Sequence, residues 1–188
     1  MSLRRRVAGA AFALLLAGPA WSEGETAFKG VALDISESRL REAFPFFACS
    51  DAADRIWADR ACTIDGSPDA VAFAAFGGVP LQGVTAMFID NRLVQLSLGY
   101  DESAFARVEE ALTAQYGAPK VVDTPVTNRR GMSIHNPVAR WSLPAGTLEN
   151  RRYGSTMQTS MMTLSANDYM TLTMRRQLDA VKAGLKVQ

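Results

Sequence analysis

The sequence predicts an α+β domain. It is expected to be an antiparallel sheet with two or three helices packed on one face, divisible into two tandem helix-plus-sheet units at 23–100 and 101–188. Three observations lead there. Runs at 36–44, 101–117 and 165–185 place apolar residues at helical spacing behind capping residues, the first two stopped by Pro45 and by Gly117 with Pro119. Short runs rich in β-branched and aromatic residues fill the intervals, punctuated by turn residues. The order is therefore helix, strands, helix, strands, helix.

The chain opens on "MSLRRRVAGAAFALLLAGPAWSEG", with basic residues at Arg4, Arg5 and Arg6 and an apolar run from Val7 to Ala17 too short to span a bilayer. Gly18-Pro19 and the small residues after it suit cleavage after Ala20 or Ser22. Residues 1–22 thus read as a secretory signal peptide of bacterial type, which places the product in the periplasm or outside the cell. The remainder, 23–188, is the length of one domain. Residues 23–119 carry 7 basic and 15 acidic side chains, a balance of −8, and residues 120–188 carry 10 and 4, a balance of +6. The near-cancellation excludes a globally basic nucleic-acid binder, and the split points to a polar partner or to halves that face each other.

After an extended "AFKGVAL", Ser36 caps a two-turn helix with Leu40, Ala43 and Phe44 on its stripe. Cys49 and Cys62 follow, thirteen positions apart and the only cysteines. In an exported protein such a pair is a disulfide closing a short loop. With no Cys-x-x-Cys and only His135 as imidazole, a zinc site lacks ligands. "DAVAFAAF" and "GVTAMFIDNRLVQLSLGY" read as strands, the second turning at Asp90-Asn91. Pairing of Ile89 with Arg92 would put Met87, Ile89, Val94, Leu96 and Leu98 on one face. "DESAFARVEEALTAQYGAP" is a helix with the stripe Phe105, Val108, Leu112, Tyr116. "KVVDTPVT", "PVARWSL", "TLENRRY" and "TMQTSMMTLS" read as a meander. A capping box at Ser165–Asp168 then starts a final helix whose Met170, Met174, Leu178, Val181 and Leu185 are expected to pack inward.

A helix near the mature start, a strand pair, then a helix ending in Tyr116-Gly117-Ala118-Pro119 and further strands resembles the helix-plus-sheet units of small exported modules of the β-lactamase-inhibitor and BamE/SmpA types. Those modules bind other proteins, so the resemblance implies an adaptor or inhibitor. The chain departs from them in lacking a lipidation cysteine and in its extra C-terminal helix.

Catalytic and nucleotide-binding signatures are missing from the sequence: no Gly-x-Ser-x-Gly, no Gly-x-x-x-x-Gly-Lys, no His-Glu-x-x-His, no Gly-x-Gly-x-x-Gly. No cofactor is expected. His135 is the one candidate general base, and a hydrolase built on it is an alternative reading. A second alternative is Cu(I) binding by the thioethers of Met157, Met161, Met162, Met170 and Met174, which otherwise fill core. The third concentration is Arg129, Arg130, Arg140, Trp141, Arg151, Arg152 and Tyr153, with Glu149 the one acid from 129 to 152. Arginine forks beside aromatic rings suit protein interfaces and bidentate contact with carboxylates or phosphates. The expectation is a non-enzymatic exported protein that uses these residues to hold a partner protein or an anionic envelope component.

Overall fold

Local signals start the fold where the sequence places them. In the computed structural model, which describes residues 27–53, 56–127 and 130–182, the Ser36 side chain accepts the Arg39 N–H at 3.3 Å. It thereby caps α1 (Glu37–Ala43). Ahead of it, β1 (Ala27–Phe28) and β2 (Val31–Ala32) form a small ribbon. Residues 1–22, expected to form a signal peptide, and also Leu185 and Arg129 lie outside the described residues.

β3 (Phe47–Asp51) and β4 (Arg60–Ile64) follow, with Cys49 directly opposite Cys62 in the register, and the two form a disulfide. The next segment departs from the strand expected over "DAVAFAAF": it is α2 (Pro68–Phe73) plus the short β5 (Ala75–Phe76), which pairs with β6 (Val79–Pro80). The reason lies one residue upstream. Ser67 accepts the Ala70 N–H and Pro68 sits at the first helical position, so capping chemistry outweighs β-propensity.

β7 (Gln82–Ile89) and β8 (Arg92–Asp101) form the hairpin through Asp90 and Asn91, both at positive φ, and Ile89 does pair with Arg92. A bulge then separates the Phe88–Leu93 pair from the Met87–Gln95 pair. Val94 is the extra residue, so Met87 falls on the opposite face from Leu96 and Leu98, against the uniform face expected. A 3-10 turn, Glu102–Ala104, leads into α3 (Phe105–Tyr116), whose Val108 and Leu112 are buried and whose end is Gly117 at φ 82°.

The remainder is β9 (Lys120–Asp123), a ribbon of β10 (Val126–Thr127) with β11 (Ser133–Ile134), β12 (Pro137–Leu143), β13 (Gly146–Thr156), β14 (Thr159–Ala166) and α4 (Tyr169–Lys182). Eight strands make one antiparallel sheet in the order β3-β4-β7-β8-β14-β13-β12-β9. The order has a pattern. α1 is followed by β3, β4, β7 and β8, α3 by β9, β12, β13 and β14, and the two four-stranded sets join through their last strands at the sheet centre.

Register partners Cys49, Cys62, Ala86, Leu96, Leu164, Leu148 and Trp141 cross seven strands in one row, and all but Cys49 are fully buried. Leu40 of α1, Phe73 of α2, and Val108 and Leu112 of α3 belong to the same core cluster. Each fully buried Leu or Phe here contributes roughly 1.5–3 kcal/mol before conformational entropy is subtracted. The fold is thus sheet-dominated α+β.

Candidate functional site

Alternation along each strand sends every second residue to the other face, and there the composition changes. Thr63, Thr85, Ser97, Thr163, Glu149, Arg140 and Lys120 are successive register partners across seven strands. Met87, Gln95, Ser165, Thr147 and Ser142 form a second row, and Gly99, Met161, Arg151 and Val138 a third. Of these sixteen residues only Val138 is buried. A sheet with one apolar and one polar face is what an antiparallel topology permits when one side meets solvent. The Gln95 amide donates to Ser165 Oγ at 3.1 Å, and Ser97 Oγ donates to Gln95 Oε1 at 3.4 Å, so the hydroxyls are ordered by a shared amide.

A groove of about 670 Å³ lies on this face, bordered by the first turn of α4. Lys120, Arg140, Arg151, Glu149, Tyr169 and Met170 are among its walls. Glu149 is the one acid in the lining against three cations. Arg140 Nε stands 2.5 Å from Glu149 Oε1, an ion-pair distance at which the N–H is nevertheless misaligned for a hydrogen bond, and Arg151 Nη2 is 3.6 Å from Glu149 Oε2. One carboxylate between two guanidiniums, with Lys120 next in register, leaves a positive surplus that suits an incoming carboxylate or phosphate. Burial raises the pKa of the Tyr169 hydroxyl.

Of the seven residues expected to form one surface, the six that are described occupy separate places. Arg140 and Arg151 line the groove. Trp141 does not: strand alternation turns it into the core, 3% exposed, where Nε1 donates to the Gly117 carbonyl at 2.7 Å. Arg152 Nε pairs with Glu102 Oε1 at 2.6 Å, and its Cζ lies over the Tyr153 ring, 5.3 Å from the centroid. That neighbouring carboxylate raises the guanidinium's pKa. Exposed Arg130 and half-buried Tyr153 line a second groove of about 760 Å³, together with Met132 and Met157. Residues that composition alone missed are Lys120, Gln95 and the Ser/Thr rows. Their signal was the alternation Thr163-Leu164-Ser165-Ala166, half of it polar.

His135 is 69% exposed at its side chain, 2.9 Å from Asp123 Oδ2, and lines neither groove. Its hydrogen bond holds the Asp123 carboxyl below the usual carboxylate range. The methionines are divided. Met162 is in the core, Met161 and Met170 line the cationic groove, and Met157 lines the other. The expectation that Met170 and Met174 pack under the last helix is wrong, since both face solvent. Glu37, Cys49 and Cys62 bring potential metal-ligand atoms within 4.8 Å of one another, but the two sulfurs are bonded together and so offer no thiolate. No described helix is long and apolar enough to cross a membrane. Comparison with family models, with curated proteins and with solved structures finds no match.

Proposed function

We propose that this is an exported, non-enzymatic binding protein of adaptor or inhibitor type, which docks an acidic patch of a partner protein on the open polar face of its sheet. The observation that carries the reading is the groove in which Lys120, Arg140 and Arg151 face a single acid, set among the Ser and Thr side chains of a solvent-facing sheet. In this reading α1, α2 and α3 all cover the apolar face, and the two helix-plus-sheet units, 23–100 and 101–188, form one wide platform. The partner-contact residues are Arg140 and Arg151 from the sequence reading, joined by Lys120, with Arg130 and Tyr153 at the neighbouring groove.

The test is capture from an envelope extract by immobilised mature protein, wild type against Lys120→Gln/Arg140→Gln/Arg151→Gln. Lys120 is exposed and Arg140 and Arg151 are half-buried on a solvent-facing sheet, where such charges contribute about 0–1 kcal/mol each to folding, so the melting temperature should fall by no more than a few degrees. Capture should fall, with the deficit largest at low salt where screening is weakest. A protease-sensitive captured species supports a protein partner, and a protease-resistant anionic polymer replaces it with the envelope-component reading. Undiminished capture by the triple variant at low ionic strength defeats the assignment.

A further inference from the structure

Beside the cationic groove the same face of the sheet holds a smaller hollow of about 320 Å³, and Met161 stands in the wall of both. The hollow follows from irregularities on both sides of Gly99 and Met161, which are register partners. Gln82 pairs with Gly99 and pairing resumes at Thr85 with Ser97, so Gly83 and Val84 together face Leu98 alone. Arg151 pairs with Met161 and Thr156 with Thr159, so residues 152–155 face Ser160 alone. Between these bulges Gly99 carries no side chain, and β13 comes so near at Gly154 that a Cβ there would lie 3.0 Å from Met161 Cβ. A glycine inside a strand marks a place where another group comes close to the backbone.

The hollow differs from the groove in its chemistry. Met161, Thr159, Ser97, Ser155 and Gln82 are among its walls, and among the described residues no charged side chain lines it. Register partners Arg151, Met161 and Gly99 sit on three adjacent strands, which puts the hollow about 10 Å from the cationic end at the usual strand spacing. An extended chain covers that distance in about three residues. Exposed cations steer a partner and select its sign more than they hold it, whereas affinity comes from an apolar side chain seated in a desolvated pocket. The volume lies at the lower end of the range for small-molecule sites and suits a single large side chain.

We propose that this hollow is the anchor pocket of the docking face: it receives one apolar side chain of an extended partner segment whose carboxylate, roughly two to four residues away, meets Arg140 and Arg151. The inference rests on the reading of the polar face as a protein-docking surface and adds the sequence feature by which a partner is selected. Met161 forms the wall between groove and hollow, and its flexible thioether adapts to Leu, Met or Phe. An acidic segment without the apolar residue meets only the cations and should bind roughly tenfold or more weakly, the effect of leaving one such side chain unburied.

Selection from a phage-displayed library of random linear peptides, long enough to span groove and hollow, tests the proposal. Peptides enriched on the protein should carry Asp or Glu with Leu, Met or Phe at the stated spacing. Replacing that apolar residue by Ser in the synthetic consensus peptide should weaken binding roughly tenfold or more. Two variants probe the hollow: Ser155→Trp crowds it from an exposed rim position, and Met161→Gln keeps the length of the side chain while making it polar. On either one the acid should still be required, but the same replacement in the peptide should cost less than about threefold. Lys120→Gln/Arg140→Gln/Arg151→Gln should instead lose the preference for the acid. Enriched peptides with an acid and no apolar preference, or an apolar preference undiminished in both hollow variants, overturn the pocket and leave the cationic docking face standing. An acid preference that survives the triple variant overturns the face and the pocket together. Failure of any peptide to enrich, or binding of dodecanoate in place of peptide, overturns the pocket as well, and capture from the envelope extract then decides the face separately.

Discussion

Replacing Cys49 and Cys62 together by Ala should destabilise the protein by about 3 kcal/mol. The two cysteines are 13 residues apart, and closing a loop of about 14 residues removes on the order of 10 cal/mol/K from the unfolded chain, or about 3 kcal/mol at 25 °C. The structure adds a local component. β3 is one of the sheet's two edge strands, held by β4 alone, and only its Phe47 is buried, so the bond secures an element with little packing of its own. For a chain of this size the loss corresponds to roughly 6–12 °C in melting temperature. Guanidinium unfolding of the oxidised wild type and the double variant measures it, with equal m-values required for the comparison. Hydrogen exchange should localise the loss, with amides of β3 and β4 deprotected well before those of β8 and β14. A difference under about 1 kcal/mol, or deprotection spread evenly over the sheet, would refute the argument that the bond holds an otherwise weak edge.

Three further outcomes follow from single contacts. Gly146→Ala would drive a Cβ into the Ser165 carbonyl oxygen and to within 2.5 Å of Leu33 Cδ1, so it should cost roughly 3 kcal/mol or prevent folding, and an unchanged urea midpoint contradicts this. Trp141→Phe leaves the Gly117 carbonyl without its donor and should cost about 2 kcal/mol, and a loss below about 0.5 kcal/mol would show the bond to be incidental. The Asp101 carboxyl is held below the usual carboxylate range by the Ser103 hydroxyl and backbone N–H. Its folded pKa is the lower one, so its charge stabilises the fold above the unfolded value of about 3.9, and that contribution is lost as pH falls through the lowered folded value. The melting-temperature gap between wild type and Asp101→Asn should therefore shrink on acidification, and a gap independent of pH below 5 contradicts the assignment.

Elements with strong local signals were legible in the sequence. The α1 cap at Ser36, the Asp90-Asn91 turn and the end of α3 at Gly117 stand where local chemistry places them, because each depends on a few neighbouring residues. α2 was misread because Ser67-Pro68 lies just outside the alternating run, and the hairpin's faces because a one-residue bulge leaves no mark in composition. α4 was misread for a different reason. Its apolar stripe promises burial, yet Arg176 finds Asp59, more than a hundred residues away, and that pair turns the stripe outward. The candidate site was legible only in part. Arg140 and Arg151 share the groove because two strands place them on one face, whereas Trp141 and Arg152, one residue on from each, point elsewhere.

Hydrogen–deuterium exchange of the protein, free and bound to the partner it captures, tests the central claim most directly. The account predicts new protection in β12, β13 and β14, around Arg140, Arg151 and Met161, with α1 and α3 unchanged. Protection confined to α1, α2 and α3, with the polar face exchanging as in the free protein, would contradict it.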